Sequence, residues 1–177
     1  MSRRGAAFFN EHVVVNVHNL LNYTLPIEIL LGVMIVFHGI YGMVIWWQGK
    51  SNVLRYRYGA NWRYLFQRIT AISTFLFIVW HVYNTRIAAA LDQAIADNLF
   101  GRMEDIFSDP VNVVLYLIGI TGAAFHFANG LWLFGITWGI STHPRAQRMS
   151  TWVCMGIFIL MTSLGVHTLW GFNQRFF

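Results

Sequence analysis

Four long stretches of the chain contain no Asp, Glu, Lys or Arg: residues 29–49, 69–85, 111–144 and 149–174. A helix needs about 20 apolar residues to cross the hydrocarbon of a bilayer, and three of the four meet that length alone. The stretch 69–85 is shorter, but it is bounded by Arg68 and Arg86, whose long side chains can snorkel and extend it. Isolated strands would leave their backbone polar groups unpaired in lipid, so the spans are expected to be helices. Ahead of them, residues 5–22 are apolar on balance yet hold Asn10, Glu11, His12, Asn16, His18, Asn19 and Asn22. That mixture predicts a short first helix whose polar groups face protein or cofactor rather than lipid. Pro26 is placed to open the next helix. The pattern predicts helices near 5–22, 26–48, 64–90, 110–140 and 148–172. They form one all-α integral membrane domain over 1–177, a bundle of four full spans plus the short N-terminal helix.

Charge orders these spans across the membrane. Residues 48–68 carry Lys50, Arg55, Arg57, Arg63 and Arg68 and no acid, and residues 141–149 carry Arg145 and Arg148, again with no acid. Residues 89–110 carry Asp92, Asp97, Glu104, Asp105 and Asp109 against Arg102. Two basic loops on one side and an acidic one opposite satisfy the positive-inside rule with the basic loops cytoplasmic. Arg3 and Arg4 then suit a cytoplasmic N-terminus, and the C-terminus lies outside.

Composition removes the other broad classes. Hydrophobic residues make up 56% of the chain and charged residues 11%, whereas a soluble domain carries about a quarter charged residues. The net charge of +5 sits in short loops between apolar runs, which is a topology signal and not a nucleic-acid surface. Trp46, Trp47, Tyr56, Tyr58 and Trp170 lie at the ends of the runs, as in an interfacial aromatic belt. The single cysteine, Cys154, can form neither an intrachain disulfide nor an iron–sulfur site and is expected to serve packing. No cleavable signal peptide is expected, since no small-residue cleavage site follows the short apolar stretch after Arg4.

Seven histidines are the chemically unusual feature: His12, His18, His38, His81, His126, His143 and His167. His143 falls in a basic loop and reads as a surface residue. The other six lie in or beside apolar segments, where an imidazole needs a partner for its nitrogens. One such residue is ordinarily a hydrogen-bonded core histidine; six spread over five segments point to a ligand set. Two imidazoles facing across helices can hold a haem iron from both sides, provided that they share a depth. At a helical rise of about 1.5 Å per residue, His38 and His126 both lie roughly 25 Å from the outer surface. His81 lies roughly 16 Å from it. Two haem levels are implied, an inner one with His38 and His126 and an outer one that includes His81. For the outer partner, His12, His18 and His167 compete; with Arg3 at the inner surface, His18 suits the outer depth better than His12. Gly39, Gly42, Ala128 and Gly130 follow the inner histidines and leave room for a flat macrocycle, or for ordinary close helix packing.

Several stretches carry a family resemblance: His12–Asn16 (HVVVN), Phe37–Gly42 (FHGIYG), Gln67–Ile72 (QRITAI), Trp80–Ile87 (WHVYNTRI), Phe125–Trp132 (FHFANGLW), Thr137–Ile140 (TWGI) and Pro144–Arg148 (PRAQR). In this order and over nearly the whole chain, they resemble the cytochrome b membrane-anchor subunit of succinate:quinone oxidoreductases (succinate dehydrogenase and fumarate reductase). The likeness is to the single-subunit, five-helix, dihaem type of Gram-positive and related bacteria. The resemblance implies a bacterial plasma-membrane protein with two haem b groups, His38 and His126 holding the inner iron and His12 and His81 the outer. It further implies docking of flavoprotein and iron–sulfur subunits, which alone carry FAD and Fe–S clusters, on the cytoplasmic face. Electrons would pass from succinate to a membrane quinone, by subfamily analogy menaquinone. Only eleven residues precede His12, fewer than the family's first span has.

The remaining candidates are charges at the membrane. Glu28, ten residues before His38, is an expensive intramembrane carboxylate and a candidate proton donor to quinone; its plain alternative is a favourable charge at a helix start. Glu11 is a weaker candidate for the same work. Arg68 and Arg86 flank the helix of His81 and are candidates for haem propionates, with snorkelling as the plain alternative. The chain has no flavin fingerprint or cysteine cluster, so the succinate-oxidising site is expected on partner subunits. Rival readings are a dihaem cytochrome b of another dehydrogenase or hydrogenase, a haem-free quinone-binding anchor, and a channel or transporter with a histidine proton path. The last would more often show repeats and broken helices.

Overall fold

A computed structural model describes residues 8–14 and 21–172. A π-helical turn, Phe9–Val14, precedes four long helices. These are α1 (Leu21–Gln48), α2 (Gly59–Val82), α5 (Pro110–Thr137) and α6 (Pro144–Phe172), with short α3 (Gln93–Asp97) and α4 (Leu99–Phe107) between α2 and α5. α2 runs on through a π turn, Tyr83–Ile87, to Leu91. Four segments are long and apolar enough to cross a membrane: Leu25–Gln48, Gly59–Leu91, Pro110–Thr137 and Pro144–Phe172. The molecule is an all-helical membrane bundle.

Helix ends differ from the sequence pattern for local reasons. The described part of α1 runs from Leu21, with Pro26 inside it rather than at its start; a proline within a helix removes one intrahelical donor. The residues 89–110, expected as a loop, are mostly helical. Their acids do capping work: Asp92 accepts from Ala94 N at 2.9 Å and Asp109 from Val111 N at 2.9 Å, while Asn98 caps α4 through Gly101 N at 3.0 Å. Short acidic side chains satisfy the orphan N–H groups of a helix start and suit its dipole. α5 stops at Thr137, short of 140, because Gly139 takes φ +72°. That left-handed residue lets the Ile140 and Ser141 N–H groups turn back to Gly135 O at 2.9 and 2.8 Å, which closes the helix end.

Packing is uneven along the membrane normal. α5 is the centre, against α2 on one side and α6 on the other. Gly119 meets Phe77 of α2, and Gly165 of α6 meets Ile120 of α5, the close approach that small residues permit between membrane helices. The best-buried cluster, Ile106, Phe107, Tyr116 and Leu169, lies at the acidic end, where α4 folds its apolar face onto α5 and α6. Phe9 joins this end, edge-on to Phe100 (6.0 Å) and Phe172 (5.5 Å). Phe9 thus lies at the acidic end of the bundle. Residues 1–7, with Arg3 and Arg4, lie outside the described residues, as does His18.

α1 stands apart. No residue in its apolar window is buried by the rest of the bundle, and it is tied to α2 at three heights. Arg68 donates to Gly49 O at 2.8 Å and to Trp46 O at the basic end. Gly39 lies against the Phe75 ring at mid-depth. Glu28 and Arg86 form an ion pair at 2.9 Å near the acidic end.

Phe107 is only 2% exposed and anchors the acidic-end cluster. Phe107→Ala should cost about 3–5 kcal/mol, read as a clear fall in the unfolding temperature of the purified protein in detergent. Leu91→Ala, at a position 82% exposed, should leave that temperature nearly unchanged.

Candidate haem-ligand site

The bundle brings two imidazoles together. His38 of α1 and His126 of α5 face each other with ring centroids 6.2 Å apart and planes at 80°. An imidazole nitrogen lies about 2 Å from a bound metal, so two rings opposed across one metal have centroids about 6 Å apart. The observed spacing therefore fits one iron between the rings. Among the described residues, no three His, Cys, Asp or Glu side chains cluster as a metal site. A porphyrin, which supplies four nitrogens of its own, would need only the two imidazoles from the protein.

His126 is oriented for such a role. Its Nδ1 lies 3.3 Å from the Gln67 carbonyl oxygen. A carbonyl only accepts, so Nδ1 carries the hydrogen and Nε2 keeps its lone pair for a metal. Gln67 is fixed in turn. Its Nε2 donates to His126 O at 3.1 Å, and its Oε1 accepts from Asn129 Nδ2 at 2.8 Å. Asn129, 5% exposed, sits three residues after His126 and so on the same helix face. Arg63, stacked over Trp132 at 4.4 Å, closes the basic end of this α2–α5 seam. Beside His38, a methyl group placed on Gly42 would meet nothing within 4 Å, so the surface one turn from the ligand stays open for a flat ring. Gly39 serves packing instead, since a methyl there would lie 2.8 Å from Phe75. Gly130 abuts Gln67, and Ala128 is buried.

His81, also on α2, lies nearer the acidic end. Its Nδ1 is 2.9 Å from the Tyr116 hydroxyl, and its ring stacks on Phe77 at 5.8 Å. As at His126, one nitrogen is engaged and Nε2 is left for a ligand. His12 is exposed and stacks on Phe8 at 4.2 Å. Its π turn lies at the same end of the bundle as His81, through the Phe9 contacts. The ring contacts described for His12 and His81 are with these neighbours and not with each other. His167 is exposed on α6, beside Ser163 and Trp170.

The charged candidates find partners within the protein or lie exposed. Arg86, a candidate for haem propionates, donates through Nε to Glu28 Oε2 at 2.9 Å, and its Nη2 lies 2.9 Å from the same oxygen. Two residues singled out separately are thus partners. Arg68 caps the carbonyl end of α1 and bonds the Tyr64 hydroxyl at 2.9 Å, so its donors are largely spent within the protein. Glu11 is exposed on the N-terminal π turn. His143, in the basic loop, accepts from Arg145 N at 3.2 Å and is exposed. Tyr116, the Gln67–Asn129 amide pair and the Glu28–Arg86 pair escaped sequence reasoning. The available signal was a polar side chain inside an apolar run, which must find a partner, although the pattern does not say which.

A bundle of four helices long and apolar enough to cross a membrane makes this a multi-pass membrane protein. The family described as "Succinate dehydrogenase/Fumarate reductase transmembrane subunit" matches residues 50–166. The "Succinate dehydrogenase cytochrome b558 subunit" of Bacillus subtilis (strain 168) is 38% identical over 169 residues, covering 96% of this chain and 82% of that protein. The chain belongs to the family of succinate dehydrogenase/fumarate reductase transmembrane subunits. No solved structure matches it significantly.

Asn129→Ala would strip the half-buried Gln67 Oε1 of its donor and loosen the seam behind His126. A loss of about 1–3 kcal/mol is expected, measured as a lower unfolding temperature in detergent.

Proposed function

We propose that this chain is the haem-carrying anchor through which electrons taken from succinate reach membrane quinone. The observation that carries the reading is the His38–His126 pair at 6.2 Å, with His126 turned by the Gln67 carbonyl into the tautomer that ligates through Nε2. When bound, haem b supplies one-electron transfer at a potential set by its ligands and surroundings. His38 and His126 hold the inner iron. His81 holds the outer, with His12 as its partner; Tyr116 orients His81, and the contacts of Phe9 at the acidic end support His12 at that level. The basic loops, with Lys50, Arg55, Arg57, Arg145 and Arg148, face the cytoplasm under the positive-inside rule. There they receive the iron–sulfur and flavoprotein subunits, which oxidise succinate. The acidic end and the C-terminus lie outside. Quinone, of the menaquinone type, is reduced near the outer haem, where Glu28 gives it protons; Glu11 is the second candidate for that work.

The test is haem counted per chain in the purified complex by the pyridine haemochrome method. Two b haems are expected, with one lost in either His38→Ala or His126→Ala. A complex without haem overturns the reading.

The Tyr116 hydroxyl yields a finer prediction. Were His81 to hold the haem through Nε2, its Nδ1 would donate to this oxygen, which would make the ring a stronger donor and favour the oxidised group. Tyr116→Phe should raise the outer haem's midpoint potential by about 20–40 mV, since one hydrogen bond is worth about 0.5–1 kcal/mol. A potentiometric titration reads the shift.

A further inference from the structure

The Glu28–Arg86 pair joins α1 to α2 just inside the apolar span that starts at Leu25. Both donors on one edge of the guanidinium, Nε and Nη2, converge on the single oxygen Oε2. Among the described residues, the other oxygen, Oε1, takes no hydrogen bond. The side chains remain 41% and 37% exposed, so the pair faces lipid or a bound molecule. Arg86 reaches this place because of the π turn Tyr83–Ile87 that follows His81. Five residues turn about 140° round an α-helix from the starting face; the wider π turn reduces that angle and brings Arg86 nearer the face of His81. The turn is braced on three sides. Thr85 Oγ1 donates to His81 O at 2.6 Å, Asn84 Nδ2 to Trp80 O at 2.9 Å, and Arg102 Nε of α4 to Asn84 O at 3.2 Å. π turns inside α-helices are often found at functional sites, and this one links the residue proposed as an outer ligand to the carboxylate proposed as a proton donor.

We propose that Arg86 is the positioning residue of quinone protonation and does not hold a haem propionate. By fixing Oε2 it holds Glu28 in the membrane and leaves Oε1 as the oxygen that gives and regains the proton. The inference rests on the reading of Glu28 as the donor to quinone. Reduction of one quinone takes two electrons, withdrawn from succinate by the partner subunits, and two protons. At each protonation the Glu28 O–H bond breaks as a quinone O–H bond forms, and the carboxylate is reprotonated by water at the acidic end. An isolated carboxylate here would be expensive, whereas a paired one persists and can still exchange its proton at the unpaired oxygen.

The experiment compares the intact membrane complex carrying Arg86→Gln, Arg86→Lys, Glu28→Gln, Glu28→Asp and the double variant R86Q/E28Q. Rates are taken per unit of succinate-dependent dye reduction, which the partner subunits perform and which counts assembled complex. Arg86→Gln should lower kcat for quinone by about tenfold or more while KM for quinone moves by less than about twofold. Arg86→Lys, keeping the charge, should recover most of that loss. R86Q/E28Q should be no slower than E28Q, because Arg86 acts only through Glu28. Haem content and both midpoint potentials should match the parent. If Arg86→Gln shifts the outer haem's potential equally with or without Glu28, Arg86 is a propionate ligand and the proposal falls. Additive losses in the double variant, or haem loss that Lys does not rescue, reduce the pair to a structural tether. Parental quinone rates in both Glu28→Gln and Glu28→Asp would sink the donor assignment itself. A parent complex without haem or quinone reduction would sink the functional reading beneath both.

Discussion

Polar groups inside the hydrocarbon must find partners within the protein, because lipid offers none. Much of the structure follows from this constraint. His126 turns to a backbone carbonyl and His81 to a tyrosine hydroxyl. Asn129 and Gln67 satisfy each other, and Glu28 takes Arg86. Arg68 spends its donors on the exposed carbonyls at the end of α1. Among the described residues, the buried hydroxyls of Thr74 and Thr162 have no hydrogen-bond partner. Each of the other pairings also restricts where helices can sit. The Gln67 amide spans α2 and α5, and the Glu28 carboxylate spans α1 and α2. The contacts that neutralise polarity therefore double as register pins.

These pins are distributed unequally, and the inequality suits the function proposed. α2, α5 and α6 pack closely through glycine contacts, and α4 seals their acidic end with aromatic side chains. Among the described residues, α1 is tied to α2 at three heights and exposes its apolar surface. A helix held in this way can carry one member of an imidazole pair while leaving open surface beside it, as at Gly42. Were α1 packed as tightly as α6, the space between His38 and His126 would close around side chains. The histidine pair needs both features: firm tethers that set the spacing and a sparse interface that admits a flat cofactor.

The acidic loop shows how one set of residues answers two demands. Its carboxylates fit the outer side of a membrane protein, and Asp92 and Asp109 also terminate helices. Reading the charges for topology alone leaves 89–110 as a loop. The same acids, seen as caps before apolar residues, give α3 and the start of α5. Ile106 and Phe107, with Met103 packed beside them, cover Tyr116.

The sequence by itself determined what depends on counting along the chain. Charge-free runs fixed the four spans and the all-helical class, since the bilayer sets a length and forbids unpaired backbone. Rise per residue placed His38 and His126 at one depth, because depth is nearly linear in residue number along a helix. It could not set rotation about each helix axis, or which neighbour a polar side chain meets. The tertiary structure alone decided that Tyr116 would hold His81, that Gln67 would orient His126, and that Arg86 would turn to Glu28. The partners in these pairs lie 35 to 59 residues apart, and nothing local in the chain encodes their meeting. It also took the π turn after His81 to swing Arg86 round, a change of helical pitch that an apolar run does not reveal.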